Sequence, residues 1–138
     1  MGVVDKLVKA ALSAAQDSLD PEFRVGAAAY RSGKLIAVGC NSKKTDPQAN
    51  NFSKRIHAEH ALYLNAWRDL ANSTVLVLRL SRKNTLSMAR PCDSCLPLLR
   101  GANVKRILYS NTDQYIRDID TGEPVGRIEL RLEAVVHA

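Results

Sequence analysis

Cysteine is scarce in this chain, and long apolar runs are absent. Three cysteines among 138 residues are too few, and odd in number, for a framework of disulfides. No apolar run approaches the about 20 residues that span a bilayer, and the N-terminus lacks a basic start followed by a long apolar stretch. We therefore expect a cytoplasmic protein without a membrane partner.

The overall composition is that of an ordinary globular protein, with 46% hydrophobic and 25% charged residues. Such a composition argues against disorder, a fibrous repeat or a disulfide-dense small scaffold. A length of 138 residues suits one domain and is too short for two ordinary ones. We predict a single domain over residues 1–138.

The net charge of +6 is concentrated in two stretches. Residues 31–55 contain six Lys or Arg against one Asp, and residues 79–106 contain seven against one Asp. A solvated surface with basic loops explains either stretch alone. Both flank the motif described below, and a positive rim of this kind concentrates anionic ligands.

Hydrophobic periodicity predicts three helices and five strands. The helices cover residues 3–16, residues 56–71, and a segment from Pro91 to about Arg100. The strands cover residues 25–30, 34–40, 74–80, 105–110 and 127–136. Polar loops fill residues 41–55 and 81–90, and we favour an antiparallel return between the last two strands. This order predicts a mixed five-stranded sheet covered by helices.

Two predicted helix starts carry the chemistry. His57 and Glu59 open the second helix, while Cys92 and Cys95 lie one helical turn apart at the start of the third. An imidazole and two thiolates supply three ligands for Zn²⁺ and leave a fourth position for water, as a catalytic zinc site requires. Glu59 would then reach that water and move its protons without binding the metal.

The pattern H-A-E followed by P-C-x-x-C resembles the zinc-dependent cytidine deaminase superfamily. The resemblance extends to FRVGAAAYRSGKLIAVGCN, HAEHALYLNA and PCDSCLPLLRGANVKRILYS, and so covers roughly residues 3–110. It implies a three-layer α/β/α sandwich, one zinc ion per chain and hydrolytic loss of ammonia from a nucleobase. It also implies that Asn41 contacts the ribose, that Ala58 and Pro91 line the base pocket, and that the chain forms a homo-oligomer.

The first proposed zinc ligand, His57, and the basic loops indicate the substrate class. A His as first ligand resembles the deoxycytidylate, tRNA-adenosine and polynucleotide branches, and Ser42-Lys43 after Asn41 departs from the Asn-x-Glu of the nucleoside branch. Basic residues that suit a phosphate are Lys43, Lys44, Lys54, Arg55, Arg82, Lys83 and Arg90. Among them we predict Lys43, Lys44, Arg55 and Arg90 as substrate contacts. We therefore rank a cytosine nucleotide such as dCMP or CMP first. Deamination of cytosine or adenine in single-stranded DNA or RNA ranks second, because exposed aromatic candidates are few.

Two other interpretations of the cysteine pair stay open. Cys92, Cys95, His57 and His60 would make a closed Cys₂His₂ structural zinc site, in a domain that binds nucleic acid without turnover. The C-x-x-C pair would alternatively be a redox pair, although the motif does not follow the first strand as thioredoxin-like folds require.

Overall fold

The computed structural model describes residues 3–18, 24–41 and 57–128, and these ranges contain three α-helices and seven strands. The helices are α1 (Val3–Gln16), α2 (Ala58–Ala66) and α3 (Leu96–Gly101), and a short 3-10 helix (Trp67–Asp69) follows α2. The strands are β1 (Arg24–Arg31), β2 (Lys34–Cys40), β3 (Thr74–Leu80), β4 (Leu86–Ser87), β5 (Arg106–Ser110), β6 (Tyr115–Asp118) and β7 (Pro124–Arg127).

The strands form one mixed sheet in the order β2-β1-β3-β5-β6-β7, and β4 pairs with β3 outside this path. β3 and β5 run parallel, whereas the other pairs are antiparallel. A parallel pair needs a crossover, and the segment that contains α3 supplies it. The start of the α3 segment is thereby held beside the carboxyl end of β3.

Helix α1 covers one face of the sheet. It buries Leu7, Ala11 and Ala15 against alternate residues of β1, β3, β5 and β6. The helix approaches β1 so closely that a Cβ built on Gly26 would lie 2.0 Å from the carbonyl oxygen of Ala11. Glycine at this position is therefore a packing requirement of the α1 face.

Helices α2 and α3 cover the opposite face. Leu62 of α2 and Leu99 of α3 are fully buried against the other set of alternate residues of β1, β3 and β5. Gly39 of β2 plays the same part here as Gly26 does on the α1 face, since a Cβ on Gly39 would lie 2.6 Å from the backbone nitrogen of Leu62. The helices on both faces confirm the predicted three-layer mixed α/β architecture.

The predicted number of five strands is wrong, because the sheet has seven. β4 lies inside the predicted loop 81–90, and β6 lies inside the return predicted between the last two strands. β7 lies at the end of that return and includes Arg127, the first residue of the predicted fifth strand. These strands have only two to four residues, so they show too few alternations to be recognised. The described chain runs antiparallel from β5 to β6 and again from β6 to β7. The antiparallel return predicted between the strands at 105–110 and 127–136 stays a prediction, because residues 129–136 lie outside the described residues.

Two predicted helices are longer than the observed ones. Ala66 departs from helical geometry with a φ of −152°, so α2 ends there and a 3-10 turn follows. The predicted third helix begins too early, because Pro97 lacks a backbone N–H and is tolerated only in the first turn of a helix. α3 therefore starts at Leu96 and leaves Cys92 in the preceding turn. Most of the predicted loop 41–55 lies outside the described residues.

Candidate active site

His57 is the residue at which the chain enters α2. Its backbone is extended, and its carbonyl oxygen accepts the N–H of Ala61, which begins the helix. The imidazole makes no capping hydrogen bond to the helix. The ring instead lies against the cysteine pair of the segment that precedes α3.

Cys92 and Cys95 are brought together by a tight turn. The carbonyl oxygen of Cys92 accepts the N–H groups of both Cys95 and Leu96, at 3.1 and 2.9 Å. The two sulfurs thereby come close to one nitrogen. Nδ1 of His57 lies 3.5 Å from Sγ of Cys92 and 3.4 Å from Sγ of Cys95.

These distances fit a zinc ion. For tetrahedral zinc with Zn–N and Zn–S bonds of about 2.05 and 2.3 Å, the ligand nitrogen and sulfur are about 3.6 Å apart. One imidazole nitrogen and two thiol sulfurs at nearly this separation make a three-ligand set with one position left over. With a carboxylate oxygen of Glu59, these ligand atoms all lie within 4.8 Å of one another.

The surroundings shift the pKa values of the two thiols in opposite directions. Burial raises the pKa of Cys92, but hydrogen bonds from the Ser94 hydroxyl, 3.1 Å away, and from backbone N–H groups outweigh burial and lower the pKa to about 7. Burial, followed by the nearby charges of Glu59 and Cys92, raises the pKa of Cys95 far above its ordinary value. A divalent cation at this point relieves the cost of the second thiolate, and its binding releases protons.

Glu59 lies in the first turn of α2 and is only 6% exposed. Burial raises its pKa, while a backbone hydrogen bond, the charge of His57 and a hydrogen bond from the Cys95 thiol act in the opposite direction. A carboxyl group with a raised pKa is better suited to accept and return a proton.

A cavity of about 280 Å³ opens above this cluster. Its walls come from β1, β3, the start of α2 and the segment that follows β4. The described lining residues are Val25, Asn41, His57, Ala58, Glu59, Val77, Arg79, Met88, Ala89, Arg90 and Cys92. The cavity therefore joins the proposed metal ligands to apolar surface and to two guanidinium groups.

Four of the predicted substrate-binding residues fall within the described ranges. Asn41, Ala58 and Arg90 line the cavity, whereas Pro91 is fully buried and is not among the lining residues. The side-chain oxygen of Asn41 accepts the N–H of Val25 at 2.9 Å. This hydrogen bond fixes the orientation of the carboxamide, with its oxygen toward Val25 and its amino group at the opposite end. The predicted residues Lys43, Lys44 and Arg55 lie outside the described residues.

The sequence interpretation missed Arg79, Met88 and Ser94 as residues of this site. Arg79 interrupts an otherwise apolar set of alternate residues in β3, and that interruption is a signal in the sequence. Met88 lines the cavity although it is 45% exposed, and nothing in its local sequence marks it. Ser94 acts through its hydrogen bond to Cys92.

The closed Cys₂His₂ interpretation gains no support from the geometry. In the described part of the chain, the cluster of ligand atoms contains Glu59 as its fourth member and does not contain His60. The fourth group is thus a buried carboxyl that faces the cavity, as in a site that performs chemistry.

Among the described residues, no helix has the length and apolar character needed to cross a membrane.

Comparisons with known proteins agree with this geometry. The sequence model described as the cytidine and deoxycytidylate deaminase zinc-binding region matches residues 1–111. The comparison with curated proteins finds no significant match.

Solved structures with the same fold include the dCMP deaminase of the cyanophage S-TIM5 in apo form. It is 20% identical, with 80% of this chain and 86% of that chain covered and a TM-score of 0.55. The same enzyme in complex with dCMP and dUMP is also similar, with 82% and 88% covered, 20% identity and a TM-score of 0.55. The cytidine deaminase of Mycobacterium leprae is 21% identical, with 86% and 94% covered and a TM-score of 0.55.

The match over residues 1–111 includes the whole cluster of His57, Glu59, Cys92 and Cys95, whose spacing suits one Zn²⁺. The chain belongs to the zinc-binding family of the cytidine and deoxycytidylate deaminases.

Proposed function

We propose that this member of the family is a hydrolytic deaminase of a cytosine nucleotide, with dCMP or CMP as substrate. The observation that carries the proposal is one cavity lined by His57 and Cys92 of the metal cluster, by the buried carboxyl group of Glu59 and by two guanidinium groups. The first two features suit removal of an exocyclic amine by water, and the guanidinium groups suit a phosphate.

His57, Cys92 and Cys95 would hold the zinc ion. When bound, zinc supplies the Lewis acidity that makes water a nucleophile at neutral pH. Glu59 takes a proton from the water, passes it to the ring nitrogen and then assists the departure of ammonia. Because water and the cytosine ring give the uracil ring and ammonia, Glu59 ends the cycle as it began and no redox partner is needed.

Residues of the cavity wall would hold the nucleotide in place. We propose that the amino group of Asn41 donates to the ribose and that the backbone around Ala58 and Pro91 contacts the base. Arg90 is exposed at the rim and would meet the phosphate. Lys43, Lys44 and Arg55 remain proposed phosphate contacts.

A second candidate substrate is single-stranded nucleic acid, and one observation favours it. Tyr115 is 36% exposed on β6, and the guanidinium groups of Arg117 and Arg127 lie 6.0 and 5.9 Å from the centre of its ring. An exposed aromatic ring among basic groups suits base stacking. The cavity of about 280 Å³ is at the small end for ligand sites and agrees better with one nucleotide.

A panel of substrates separates these candidates. The zinc-loaded protein is incubated with dCMP, CMP, cytidine, deoxycytidine, a cytosine-containing single-stranded DNA and an adenosine-containing RNA hairpin, and products are identified by mass spectrometry. We expect the free cytosine nucleotides to react fastest. Reaction of the polymers alone would move the assignment to the second candidate.

We also propose a homo-oligomer, supported by exposed apolar side chains on β2 and at the end of α2. These side chains are Leu35, Val38, Leu64 and Trp67. Mass photometry at working concentration tests this point, since a particle mass of 15.2 kDa would be that of a single chain. A cytoplasmic location is proposed as well, because zinc ligation by Cys92 and Cys95 requires cysteines that are not joined in disulfides.

A further inference from the structure

Ser110 is the last residue of β5, and it is fully buried. Buried hydroxyl groups in proteins are hydrogen-bonded, because an unpaired one costs free energy. Here the hydroxyl oxygen accepts the N–H of Arg79 in β3 at 3.1 Å, and the hydroxyl donates to the carbonyl oxygen of Ser87 in β4 at 2.7 Å. One side chain therefore bridges the backbones of two other strands.

This bridge lies where the edge of β3 changes its partner strand. Val77 pairs with Tyr109 of β5, whereas Arg79 pairs with Ser87 of β4. β4 has only two residues, so its own pairing with β3 is short. The Ser110 hydroxyl adds a hydrogen bond to each member of the Arg79–Ser87 pair, and it thereby fastens the end of β4 to the sheet.

A second hydrogen bond from Ser110 holds the chain just beyond β4. The carbonyl oxygen of Ser110 accepts the N–H of Ala89 at 3.0 Å. Ala89 and its two neighbours, Met88 and Arg90, line the cavity. Cys92 of the metal cluster comes three residues after Ala89. Because so short a segment has a limited reach, the position of Ala89 restricts where the sulfur of Cys92 can lie.

We propose that Ser110 is a positioning residue of the active site, which holds residues 87–92 so that they line the cavity and Cys92 reaches the metal. The part of this role that concerns turnover rests on the function proposed above. Ser110 is not a lining residue of the cavity, so it acts through the segment and not by contact with the substrate. Reacting groups need supporting hydrogen bonds of this kind to be held accurately.

The test measures the zinc dissociation constant, by competition with a chelator, and kcat/KM at saturating zinc for the cytosine compound that reacts fastest. Removal of a group that supports a metal ligand typically weakens metal binding by about 10- to 100-fold. Ser110 supports Cys92 through intervening residues, so in Ser110→Ala we expect the dissociation constant to rise by about 10-fold. Misplaced active-site groups lower rates by up to about 100-fold, and we expect kcat/KM to fall by about 10- to 100-fold.

Ser73→Ala is the matched control. Ser73 is also fully buried, and its hydroxyl donates to the carbonyl oxygen of Leu70 at 2.6 Å. It precedes β3, at the opposite end of that strand from the cavity, and it is not a lining residue. Both variants should lose stability in urea unfolding, because each loses a buried hydrogen bond. Ser73→Ala should keep the wild-type zinc affinity and kcat/KM. Ser110→Thr keeps the hydroxyl and should come closer to wild type than Ser110→Ala in both measurements.

Equal zinc affinity and equal kcat/KM in Ser110→Ala and Ser73→Ala would overturn the proposal while leaving the deaminase function standing. If the wild-type protein deaminates no cytosine compound, the proposed function fails instead, and the zinc affinities still decide about Ser110. If Ser110→Ala does not fold, amide hydrogen exchange of the wild-type protein takes its place. Slow exchange at Arg79 and Ala89 supports the anchor, and exchange at the rate of an unprotected amide refutes it.

Discussion

The two faces of β3 are built from one strand and yet serve different purposes. Toward α1 the strand presents Leu76, Leu78 and Leu80, all fully buried to its last residue. Toward α2 and α3 it presents Val75 and Val77 and then Arg79, where the cavity opens. The α1 face is an uninterrupted core, whereas the α2 face is a core that ends in a site.

The contrast teaches where the chain tolerates unfavourable groups. A buried carboxyl, a half-buried guanidinium and two closely spaced thiols all lie on the α2 face, close to the carboxyl end of β3. Burying such polar and ionisable groups costs free energy, and a metal ion bound only to the folded state offsets part of that cost. Substitutions on the two faces should therefore have different consequences, and the following experiments measure them.

The largest effect is expected from Glu59→Gln. The amide keeps the size of the side chain but cannot carry a proton between water and base, so kcat should fall by about 10²- to 10⁴-fold. Zinc content, measured by elemental analysis, should stay at the wild-type level. Glu123→Gln, which changes an exposed glutamate beyond β6, is the control and should keep full activity. Retained turnover in Glu59→Gln would remove Glu59 from the chemistry.

Removal of one metal ligand should come next. Cys95→Ala leaves two ligands, so the purified protein should lose most of its zinc and with it the activity. Its melting temperature should also fall, because metal bound only to the folded state stabilises that state. Cys40→Ala removes the cysteine that lies at the end of β2 and should keep zinc and turnover. Equal zinc content in the two variants would show that Cys95 is not a ligand.

A deletion in the α1 face should affect stability alone. Leu78→Ala removes a fully buried side chain, and such changes cost about 2–5 kcal/mol in the free energy of unfolding. Urea unfolding measures this loss, while kcat/KM for dCMP, measured well below the melting temperature, should remain near wild type. A loss of activity with unchanged stability would contradict the division between the two faces.

The smallest expected effect gives the sharpest comparison, because it places the same change on each face. Gly26→Ala forces α1 away from the sheet, and Gly39→Ala forces α2 away, at a cost of about 1–3 kcal/mol each. Only α2 carries Glu59 and directly follows His57. We expect Gly39→Ala to lower kcat as well as stability, and Gly26→Ala to lower stability only. Equal kcat values for the two variants would argue against this distinction.

The zinc cluster was predictable from sequence because its information is local. The H-A-E and P-C-x-x-C motifs place each proposed ligand by its own turn, and the segment between them contains a strand that brings the turns together. The amphipathic pattern of α1 was equally local, and its predicted ends, residues 3 and 16, are those observed.

Other features depend on contacts that a local pattern does not record. β4 exists because Leu86 and Ser87 pair with the end of β3, and β6 exists because it pairs with β5 after a tight turn in which Gln114 has a φ of 70°. The late start of α3 was readable in Pro97, but the cysteine spacing concealed it. Arg79 was counted only as surface charge, because its position in the cavity follows from the register of β3.

The most direct test of the central claim incubates the zinc-loaded protein with dCMP and follows dUMP and ammonia over time. Glu59→Gln protein of equal zinc content is assayed in parallel. We expect the wild-type protein to form equal amounts of dUMP and ammonia, and the variant to form almost none of either. Equal turnover by the two proteins, or no product from any cytosine compound while zinc is bound, would contradict it.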